Sequence, residues 1–523
     1  MSLKFRFIGI GVLVLALGLA LSWGAMTQEN ILIIGTTDRI TELSPANSYD
    51  YWTWHTFGQT GDALVTLKPY ETTPSPSLAK SWEVSADGKA YIFYLEEGVT
   101  YTDGEPFNCE TMKWSLERNL RLDGPKGGVG LIKMIKGLEC LDEYTLKITL
   151  DAPDATFLAR MTDGVVPAIA LSPASTPADE FAMGRYAGTG PYKLIEYVPE
   201  ERTVYQAYEN YWGPAPKTPK VIEIFYADSA ALRAAVEAGE IDVGFRTFIP
   251  DDILDLKENP NLNVIIGDTL SVRYLVFTVN MPPFDNVHVR RAIAYAVDRE
   301  ELNFKIFAGL NAPLYSMVPP GMWSHVPAFP KRDLGKAVEE LEAAGYSTLN
   351  PLEITLWYTP KHYGTEEADV AAVLKANLEA TGIIKVNVNV LEWGTYVTRM
   401  SEGALGFFLL GWYPDFIDPD NYLAPWLTEA PEGLGTFLNQ ATNDFDKACY
   451  DKFVELLGEA KLTTDIAERT ALYEEAQHKL AECAVMIPLW LNSSAHVAVA
   501  QKNVKGIVLD ASMEFRNWLI YKE

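Results

Sequence analysis

Three carboxylates lie close together near the end of the chain, at Asp415, Asp418 and Asp420. Closely spaced carboxylates could bind Ca²⁺ or serve as the acid and base of a hydrolase. Pro414 and Pro419 interrupt the run, and no glycine stands at its centre as in a Ca²⁺-binding loop. A hydrolase would need the two carboxyl groups about 5–9 Å apart across a scissile bond, which the sequence cannot show. The simplest alternative is that Asp415 only caps a turn.

Other catalytic and metal-binding signatures are missing. The sequence has no GxxxxGK[ST] loop, no GxSxG elbow and no HExxH motif. The run Gly188-Thr189-Gly190 has Lys193 where a dinucleotide loop needs glycine, so it predicts a turn. None of the six histidines pair at ligand spacing along a helix. We therefore expect a protein that is not an enzyme and has no metal or cofactor.

The charge balance argues against two classes of protein, those that bind nucleic acids and those that bind anionic membrane surfaces. The chain carries 70 acidic and 43 basic side chains, for a formal net charge of -27. A nucleic-acid-binding protein needs a basic surface to replace phosphate counterions, and an anionic membrane surface also attracts basic patches. We expect neither partner, and we interpret the acidic surplus as a source of solubility.

The N-terminus predicts export. Lys4 and Arg6 precede an apolar run over residues 7–21, and small residues follow at Ser22, Gly24 and Ala25. This order is typical of a secretory signal peptide, here residues 1–25, and the run is short for a spanning helix. An uncleaved membrane anchor is the alternative. No cysteine lies near the exit to accept a lipid, so we expect a periplasmic or other extracytoplasmic protein.

Export makes disulfides permissible for the four cysteines, Cys109, Cys140, Cys449 and Cys483. Four cysteines allow three connectivities. We favour local pairing, Cys109 with Cys140 and Cys449 with Cys483, over free buried thiols.

The elements that would position these residues alternate between strands and helices. The clearest unit is a strand over 354–358, a helix over 367–380 and a strand over 385–391, a β-α-β pattern. Further strands are predicted over 31–35, 90–95, 144–150, 203–208, 221–226, 274–279 and 485–491, and helices over 111–120, 229–238, 287–296 and 465–483. The 523 residues exceed a single core of roughly 250–300 residues, so we expect two or three mixed α/β lobes.

Six longer blocks stand in a fixed order along the chain. They are LAKSWE with YTDGEPF (78–107), GTGPYKL with NYWG (188–213), GEID (239–242), PPFDNVHVRRAI (282–293), GWYPDF with DPDNY (411–422) and IPLW (487–490). Together they resemble the family 5 extracellular solute-binding proteins, which include oligopeptide, dipeptide and nickel receptors. The resemblance spans the chain from about residue 30 to its C-terminus.

The resemblance implies a periplasmic-binding-protein-like α/β fold, in which two mixed lobes are joined by a hinge and an extra third lobe is added. Lobe I would hold residues 28–62, 186–273 and 491–523, lobe II (the extra domain) 63–185, and lobe III 274–490. Two such lobes close on a ligand about the hinge, and the ligand shifts the population by binding the closed state better.

The resemblance also implies ligand-binding residues. Peptide-binding relatives use the Asp of a Trp-x-x-Asp motif to pair with the ligand's α-ammonium group, and here Trp412 and Asp415 match it. Dipeptide-binding relatives place an Arg just after a strand to hold the ligand carboxylate. The matching stretch, 356–363, has no Arg, so Lys361 or His362 would have to substitute, and Lys lacks the bidentate fork.

Aromatic side chains complete the expected cleft. Trp490 falls where relatives carry an aromatic that faces the ligand. Further candidates are Tyr274, Trp393, Tyr396, Tyr413, Tyr51 and Trp54, the last two from an aromatic cluster over residues 49–57. Aromatic rings can stack on a ligand and still offer a polar tip, but core packing is the alternative for each.

We therefore interpret the chain as the substrate-binding receptor of an ABC importer. It would act as a monomer that captures a peptide-like small solute and delivers it to the permease subunits. An oligosaccharide or a nickel chelate are alternative ligands, and a chemosensory or chaperone role is an alternative use of the fold. A secreted hydrolase using Asp415 and Asp418 is the alternative of another class.

Overall fold

The computed structural model describes residues 30–429 and 434–523. The predicted signal peptide, residues 1–25, lies outside them, so its prediction stands untested. In the described part of the chain, no helix has the length and apolar character needed to cross a bilayer.

The strands are short and distributed along the whole chain. They are β1 (Ile31–Thr36), β2 (Val65–Thr66), β3 (Ser75–Pro76), β4 (Ala79–Val84), β5 (Ala90–Leu95), β6 (Ile135–Asp142), β7 (Thr145–Leu150), β8 (Tyr192–Val198), β9 (Arg202–Ala207), β10 (Lys220–Phe225), β11 (Val243–Phe245), β12 (Leu262–Ile266), β13 (Val272–Phe277), β14 (Ala312–Pro313), β15 (Leu352–Tyr358), β16 (Ile384–Val390), β17 (Phe407–Trp412), β18 (Met486–Leu491), β19 (Val497–Gln501), β20 (Val504–Lys505) and β21 (Tyr521–Lys522).

The helices separate these strands. They are α1 (Tyr51–Thr60), α2 (Cys109–Leu122), α3 (Ser229–Ala238), α4 (Pro250–Lys257), α5 (Val287–Ala296), α6 (Arg299–Phe307), α7 (Leu334–Ala343), α8 (Glu367–Glu379), α9 (Trp393–Ser401), α10 (Asp444–Leu462) and α11 (Ile466–Cys483), and a short 3₁₀ turn covers Pro419–Tyr422. The ends follow local signals. For α3, Asp228 accepts a hydrogen bond from the Ala231 N–H, and Gly239 ends the helix with φ +73°, a conformation that glycine adopts without strain.

The first lobe is built on a seven-stranded sheet in the order β12-β19-β11-β1-β10-β9-β8. β1 lies at its centre, parallel to both β10 and β11, and Leu32 and Ile34 of β1 are fully buried. The strands come from three separated parts of the chain, 31–36, 192–266 and 497–501. We call this part of the molecule the seven-stranded lobe.

A second lobe is built on the six-stranded sheet β14-β18-β13-β17-β15-β16, which we call the six-stranded lobe. All residues of β13 are buried, because the sheet is covered on both faces. β15 and β16 are parallel and α8 connects them, which confirms the β-α-β unit predicted from the sequence.

A third larger sheet is antiparallel, in the order β4-β5-β7-β6, with α2 packed against it, and β2-β3 and β20-β21 form two-stranded pairs. We call this part the four-stranded lobe. The three sheets confirm the mixed α/β multi-lobe architecture. The residue boundaries assigned to the lobes from the sequence stay a prediction.

Both locally paired disulfides are present. Cys109 at the start of α2 is bonded to Cys140 of β6, with a Cα–Cα distance of 5.8 Å. Cys449 of α10 is bonded to Cys483 at the end of α11, with a Cα–Cα distance of 6.3 Å. Each bridge fastens two elements within one lobe and leaves the contacts between lobes unconstrained.

The chain crosses between the seven-stranded and six-stranded lobes twice in the C-terminal half. One crossing follows β12 and enters β13, and the other leaves β18 and enters β19. The two segments are bonded to each other, because the Asn492 N–H donates to the Ser271 carbonyl at 2.9 Å. Two adjacent crossing strands are the arrangement that a hinge between rigid lobes requires.

Candidate functional site

Asp415 lies in the loop that follows β17, where the six-stranded lobe faces the seven-stranded lobe. Its Oδ1 accepts a hydrogen bond of 2.5 Å from the Tyr49 hydroxyl of the opposite lobe. Asn421 fixes the loop from below, since its Oδ1 accepts from the Asp415 N–H at 2.9 Å and from Trp412 Nε1 at 3.0 Å. The carboxylate is therefore held at the lobe boundary by a side-chain network within the loop.

The charge of Asp415 is poorly compensated. Among the described residues, no cationic side chain forms an ion pair with it, and Arg160 acts on it only weakly from a distance. Burial between the lobes therefore dominates and raises the pKa of the Asp415 carboxyl to about 6, against the lowering effect of the Tyr49 and Asn421 hydrogen bonds. An ionised carboxylate in this position is stabilised by any cation that enters.

The opposite wall is the first turn of α1 and the residues before it. Asp50 caps the helix by accepting from the Thr53 N–H at 2.9 Å. Tyr49 and Tyr51, on either side of this cap, contact Asp415 and Tyr413 of the six-stranded lobe. Trp54 lies behind them, close to Gly128. Tyr49 packs edge-on against Trp54 with ring centroids 5.5 Å apart. The Tyr51 hydroxyl donates to the Met513 carbonyl at 2.5 Å.

A buried carboxylate anchors α1 to its sheet. Glu223 of β10 is fully buried and accepts hydrogen bonds from His55 Nε2 at 2.7 Å and from Asn517 Nδ2 at 2.9 Å. Trp52, Thr203 and Tyr205 donate to the same carboxylate. Burial alone would raise the pKa of Glu223, but its interaction with His55 and the hydrogen bonds from His55, Asn517 and Thr203 together outweigh burial, so the pKa is lowered.

Arg246 joins the two lobes beside Asp415. It directly follows β11 and has φ +64°, a left-handed conformation that is costly for a non-glycine residue. Its guanidinium lies 4.0 Å from the centroid of the Tyr51 ring, and its Nη2 lies 3.4 Å from the Tyr413 hydroxyl of the other lobe. Asp38 lies 3.4 Å from its Nε. Tyr51, Tyr413, Asp415, Tyr49, Trp54 and Arg246 form what we call the inter-lobe site.

A second cluster lies on the six-stranded lobe, around the loop after β15. His362 stacks on Trp393 with centroids 3.6 Å apart, and Tyr363 packs edge-on against the same indole. The Tyr363 ring also covers the guanidinium of Arg273 at 3.9 Å, and Trp490 lies 5.5 Å from that guanidinium. Lys361, the sequence-predicted substitute for a carboxylate-binding Arg, is exposed.

Three of the predicted aromatic residues are completely or almost completely buried inside the six-stranded lobe. Tyr274 packs edge-on against Trp426, and the Tyr396 hydroxyl donates to the Leu409 carbonyl at 2.7 Å. Trp490 is 1% exposed and packs against Phe307 at 4.9 Å. They support the walls of the site from behind, while Trp412, which is partly exposed, lies next to the Asp415 loop.

Asp418, the partner of Asp415 in the hydrolase alternative, is engaged elsewhere. Both of its oxygens accept from Nη2 of Arg469, at 3.0 and 2.9 Å, and it is 4% exposed. Its Oδ1 also caps the 3₁₀ turn by accepting from the Asp420 N–H. These contacts give Asp418 a structural role under the loop that carries Asp415.

The four-stranded lobe closes one end of the inter-lobe site. The guanidinium of Arg160 lies 4.1 Å from the centroid of the Phe416 ring and 3.7 Å from Asp420. Phe416 also packs with Ala159 and Val165 in a small apolar cluster between the two lobes. The residue next to Asp415 is thus the point where the third lobe makes contact.

Sequence reasoning did not identify Tyr49, Arg246, Arg273, Tyr363 and Asn421 as parts of the site. Tyr49 belongs to the aromatic cluster over residues 49–57, so the sequence did contain a feature that could have identified it. Arg246 follows a buried strand directly, which is a common position for a functional side chain. Arg273 stands inside a fully buried strand, where a charged residue needs a partner and is worth explaining.

Known protein families and curated proteins include relatives of this chain. The model of the bacterial extracellular solute-binding proteins, family 5, matches residues 73–433. Heme-binding protein A of Haemophilus influenzae is 31% identical over 86% of this chain and 84% of its own length. The dipeptide-binding protein of Escherichia coli is 29% identical over 86% of each chain.

The fold has a solved counterpart as well. The periplasmic binding protein DppA of Helicobacter pylori, solved in complex with the peptide STSA, is 28% identical with a TM-score of 0.78, and the match covers 95% of this chain and 98% of that one. Sequence and fold therefore agree over nearly the full length, and the chain belongs to the family 5 bacterial extracellular solute-binding proteins.

Proposed function

We propose that this protein captures a short peptide, or a peptide-like solute with a free ammonium group, at the inter-lobe site. As a family 5 solute-binding protein it is a substrate-binding receptor of an ABC importer. Its lobes close on the solute, and the closed complex is delivered to the permease subunits. Export to the periplasm and a monomeric receptor are parts of the same proposal.

One observation carries the choice of ligand. Asp415 is a largely desolvated carboxylate between the lobes, and within the described residues it has hydrogen-bond donors but no ion-pair partner. A buried charge without a partner is expensive, so the site favours a solute that brings a positive charge. An ammonium group also brings N–H donors, and charge-assisted hydrogen bonds are stronger than neutral ones.

The surrounding charges support the same choice. Arg246 has Asp38 as its acidic neighbour, and Arg273 is paired with Glu367. Asp415 has no such ion-pair partner among the described residues. The Escherichia coli and Helicobacter pylori relatives, named for a dipeptide and solved with a peptide, add support from homology.

The proposal is tested by removing first the ammonium charge of the peptide and then the carboxylate charge of Asp415. We expect tri-alanine to bind the wild type, and N-acetyl-tri-alanine to bind at least about tenfold more weakly because it lacks the ammonium group. Asp415→Asn should bind both peptides equally weakly, which isothermal titration calorimetry measures directly.

Asp444→Asn is the matched control, since it removes an exposed carboxylate from the same lobe. It should leave both affinities unchanged. Equal binding of the two peptides to the wild type, or unchanged binding by Asp415→Asn, would contradict the proposed role. Mass spectrometry of the released peptide should find it intact, whereas hydrolysis that stops in Asp415→Asn would favour the enzyme alternative.

A further inference from the structure

The outer edge of the seven-stranded sheet presents backbone groups that have no partner. β12 is the terminal strand of this sheet, with β19 as its antiparallel neighbour. The Gly267 N–H donates to the His496 carbonyl across this pair, so the odd-numbered residues of the strand bond to β19 and the even-numbered residues face away from it. The N–H and C=O groups of Val264 and Ile266 therefore point out of the sheet, and no described residue bonds to them.

Both ends of this open stretch are closed by the protein itself. At one end the Leu262 N–H donates to the Asn259 carbonyl at 3.2 Å, and at the other the Asp268 N–H donates to the Leu509 carbonyl at 3.3 Å. Between these two bonds, residues 504–507 and β12 line an open groove of about 470 Å³, and no hydrogen bond crosses it between their backbones. We call it the β12 groove. An extended chain is the shape that can bond to the free edge within it.

The β12 groove is basic, although the protein as a whole is strongly acidic. Acidic side chains outnumber basic ones by 70 to 43, yet three lysines and no aspartate or glutamate line the groove. Lys257 and Lys502 form no ion pair with a described carboxylate, and Lys505 has an acidic neighbour, Glu523, at 3.9 Å. Lysines without compensating charges attract an anionic partner. The rest of the lining is largely apolar, with Leu262, Val264, Ile265, Val504 and Ile507.

The charge and the backbone together select one kind of occupant. A second copy of this chain would bring the same lysines to the edge, and like charges on paired strands are destabilising. Lysines at a sheet edge are indeed a common protection against pairing between copies. A small anion would neutralise the lysines but would leave the outward C=O groups unpaired. An extended segment with acidic side chains satisfies both the lysines and the backbone.

We propose that the β12 groove binds an acidic, extended segment of a partner protein, which adds a strand to the seven-stranded sheet. The added strand pairs with the backbones of Val264 and Ile266, while its carboxylates face Lys257, Lys502 and Lys505. Main-chain hydrogen bonds supply the affinity, and the lysines supply the preference for acidic sequences. The groove shares no residue with the inter-lobe site, so the inference does not depend on the identity of the solute.

The test uses three fluorescein-labelled peptides and fluorescence anisotropy at about 0.01 M ionic strength, where charges are little screened. The first peptide is TEVEVET, blocked at both ends. The second has lysine in place of each glutamate, and the third is TEVEVET with every backbone amide N-methylated. We expect the first peptide to bind and the other two to bind at least about tenfold more weakly. The lysine peptide has the wrong charge, whereas the N-methylated peptide keeps the charge but cannot donate to the strand edge.

Variants of the protein test the two parts of the groove separately. K257E/K502E should weaken the binding of TEVEVET by at least about tenfold. K89E/K136E is the matched control, because it reverses the charges of two exposed lysines on the four-stranded lobe, and it should leave the binding unchanged. V264P removes an outward N–H that bonds to nothing in the sheet, a change that edge strands tolerate. It should weaken the binding while all lysines remain.

Three results would overturn the inference. They are a wild-type protein that does not bind TEVEVET, a K257E/K502E protein that binds it as tightly as the wild type, and an N-methylated peptide that binds as tightly as TEVEVET. In the last case the groove would be a basic patch and not a strand-binding edge. If V264P does not fold, the N-methylated peptide tests the backbone contacts by itself, because it is measured on the wild type.

Discussion

At the scale of single residues, the site is organised around a carboxylate that the empty protein stabilises poorly. Tyr49 and Asn421 donate hydrogen bonds to Asp415. These two neutral donors do not offset the hydration free energy that the carboxylate loses between the lobes. The raised pKa of Asp415 expresses this deficit. A ligand ammonium would lower the pKa again, so binding and deprotonation of Asp415 are coupled.

This coupling predicts how affinity depends on pH. Below about pH 6 the empty site is mostly protonated, so an ammonium ligand must displace a proton and its affinity falls as the pH decreases. Near pH 7 the carboxylate is ionised and the affinity should be highest, and above about pH 8 it should fall again as the peptide's α-amino group loses its proton. Titration calorimetry with tri-alanine across this range measures the dependence, and Asp415→Asn should show none. Wild-type affinity that is the same at about pH 5 and about pH 7.5 would contradict the assignment.

At the scale of elements, the network around Glu223 decides where the first turn of α1 lies. The helix contributes His55 and Trp52 to the network, while the sheet contributes Glu223 itself. Tyr51 and Trp54 are on the same helix, one to four residues from these anchors. The geometry of the inter-lobe site thus depends on a buried charge that does not itself reach the ligand.

Glu223→Ala should therefore destabilise the fold by about 3 kcal/mol, because it leaves several buried donors unpaired. The stabilisation of the fold by Glu223 in the wild type depends on pH. The folded pKa of Glu223 is lowered, so its stabilisation is present above the unfolded value of about 4.3 and is lost as the pH falls through the folded pKa. Urea denaturation near neutral and acid pH measures both effects. A Glu223→Ala protein as stable as wild type at neutral pH would contradict the role of the network.

At the scale of the whole molecule, closure brings together residues from three lobes. Tyr49 and Arg246 reach the Asp415 loop from the seven-stranded lobe, and Arg160 reaches Phe416 from the four-stranded lobe. Few of these contacts are apolar, so separating the lobes should require only a small free energy. The solute supplies the additional free energy that favours the closed state.

Phe416→Ala should weaken the contact between the lobes without removing a contact to the ligand. Loss of the ring contact with Arg160 and of the small apolar cluster should lower tri-alanine affinity by about tenfold, since a fraction of the binding energy must then compensate for weaker closure. Small-angle scattering should show a larger radius of gyration in the absence of ligand. Leu349→Ala, at a residue that is 96% exposed, is the control and should change neither quantity. Unchanged affinity in Phe416→Ala would exclude a role for this contact in closure.

Local patterns in the sequence were enough to predict most of the elements and the family. Helices over 229–238 and 287–296 and the strand over 90–95 agree with the structure in both boundaries, because caps and hydrophobic periodicity are local signals. The ordered blocks gave the multi-lobe solute-binding fold, and the export signal made local disulfide pairing a reasonable expectation.

The set of side chains that share the site depends on long-range packing. Tyr49 and Asp415 are 366 positions apart, and Arg246 and Tyr413 are 167 apart, so no local pattern relates them. The partners of Arg273 depend on strand order, since β13 becomes the neighbour of β17 only when the sheet assembles. Burial and charge compensation are properties of such long-range contacts, and they determine that Asp415 has no cationic partner among the described residues.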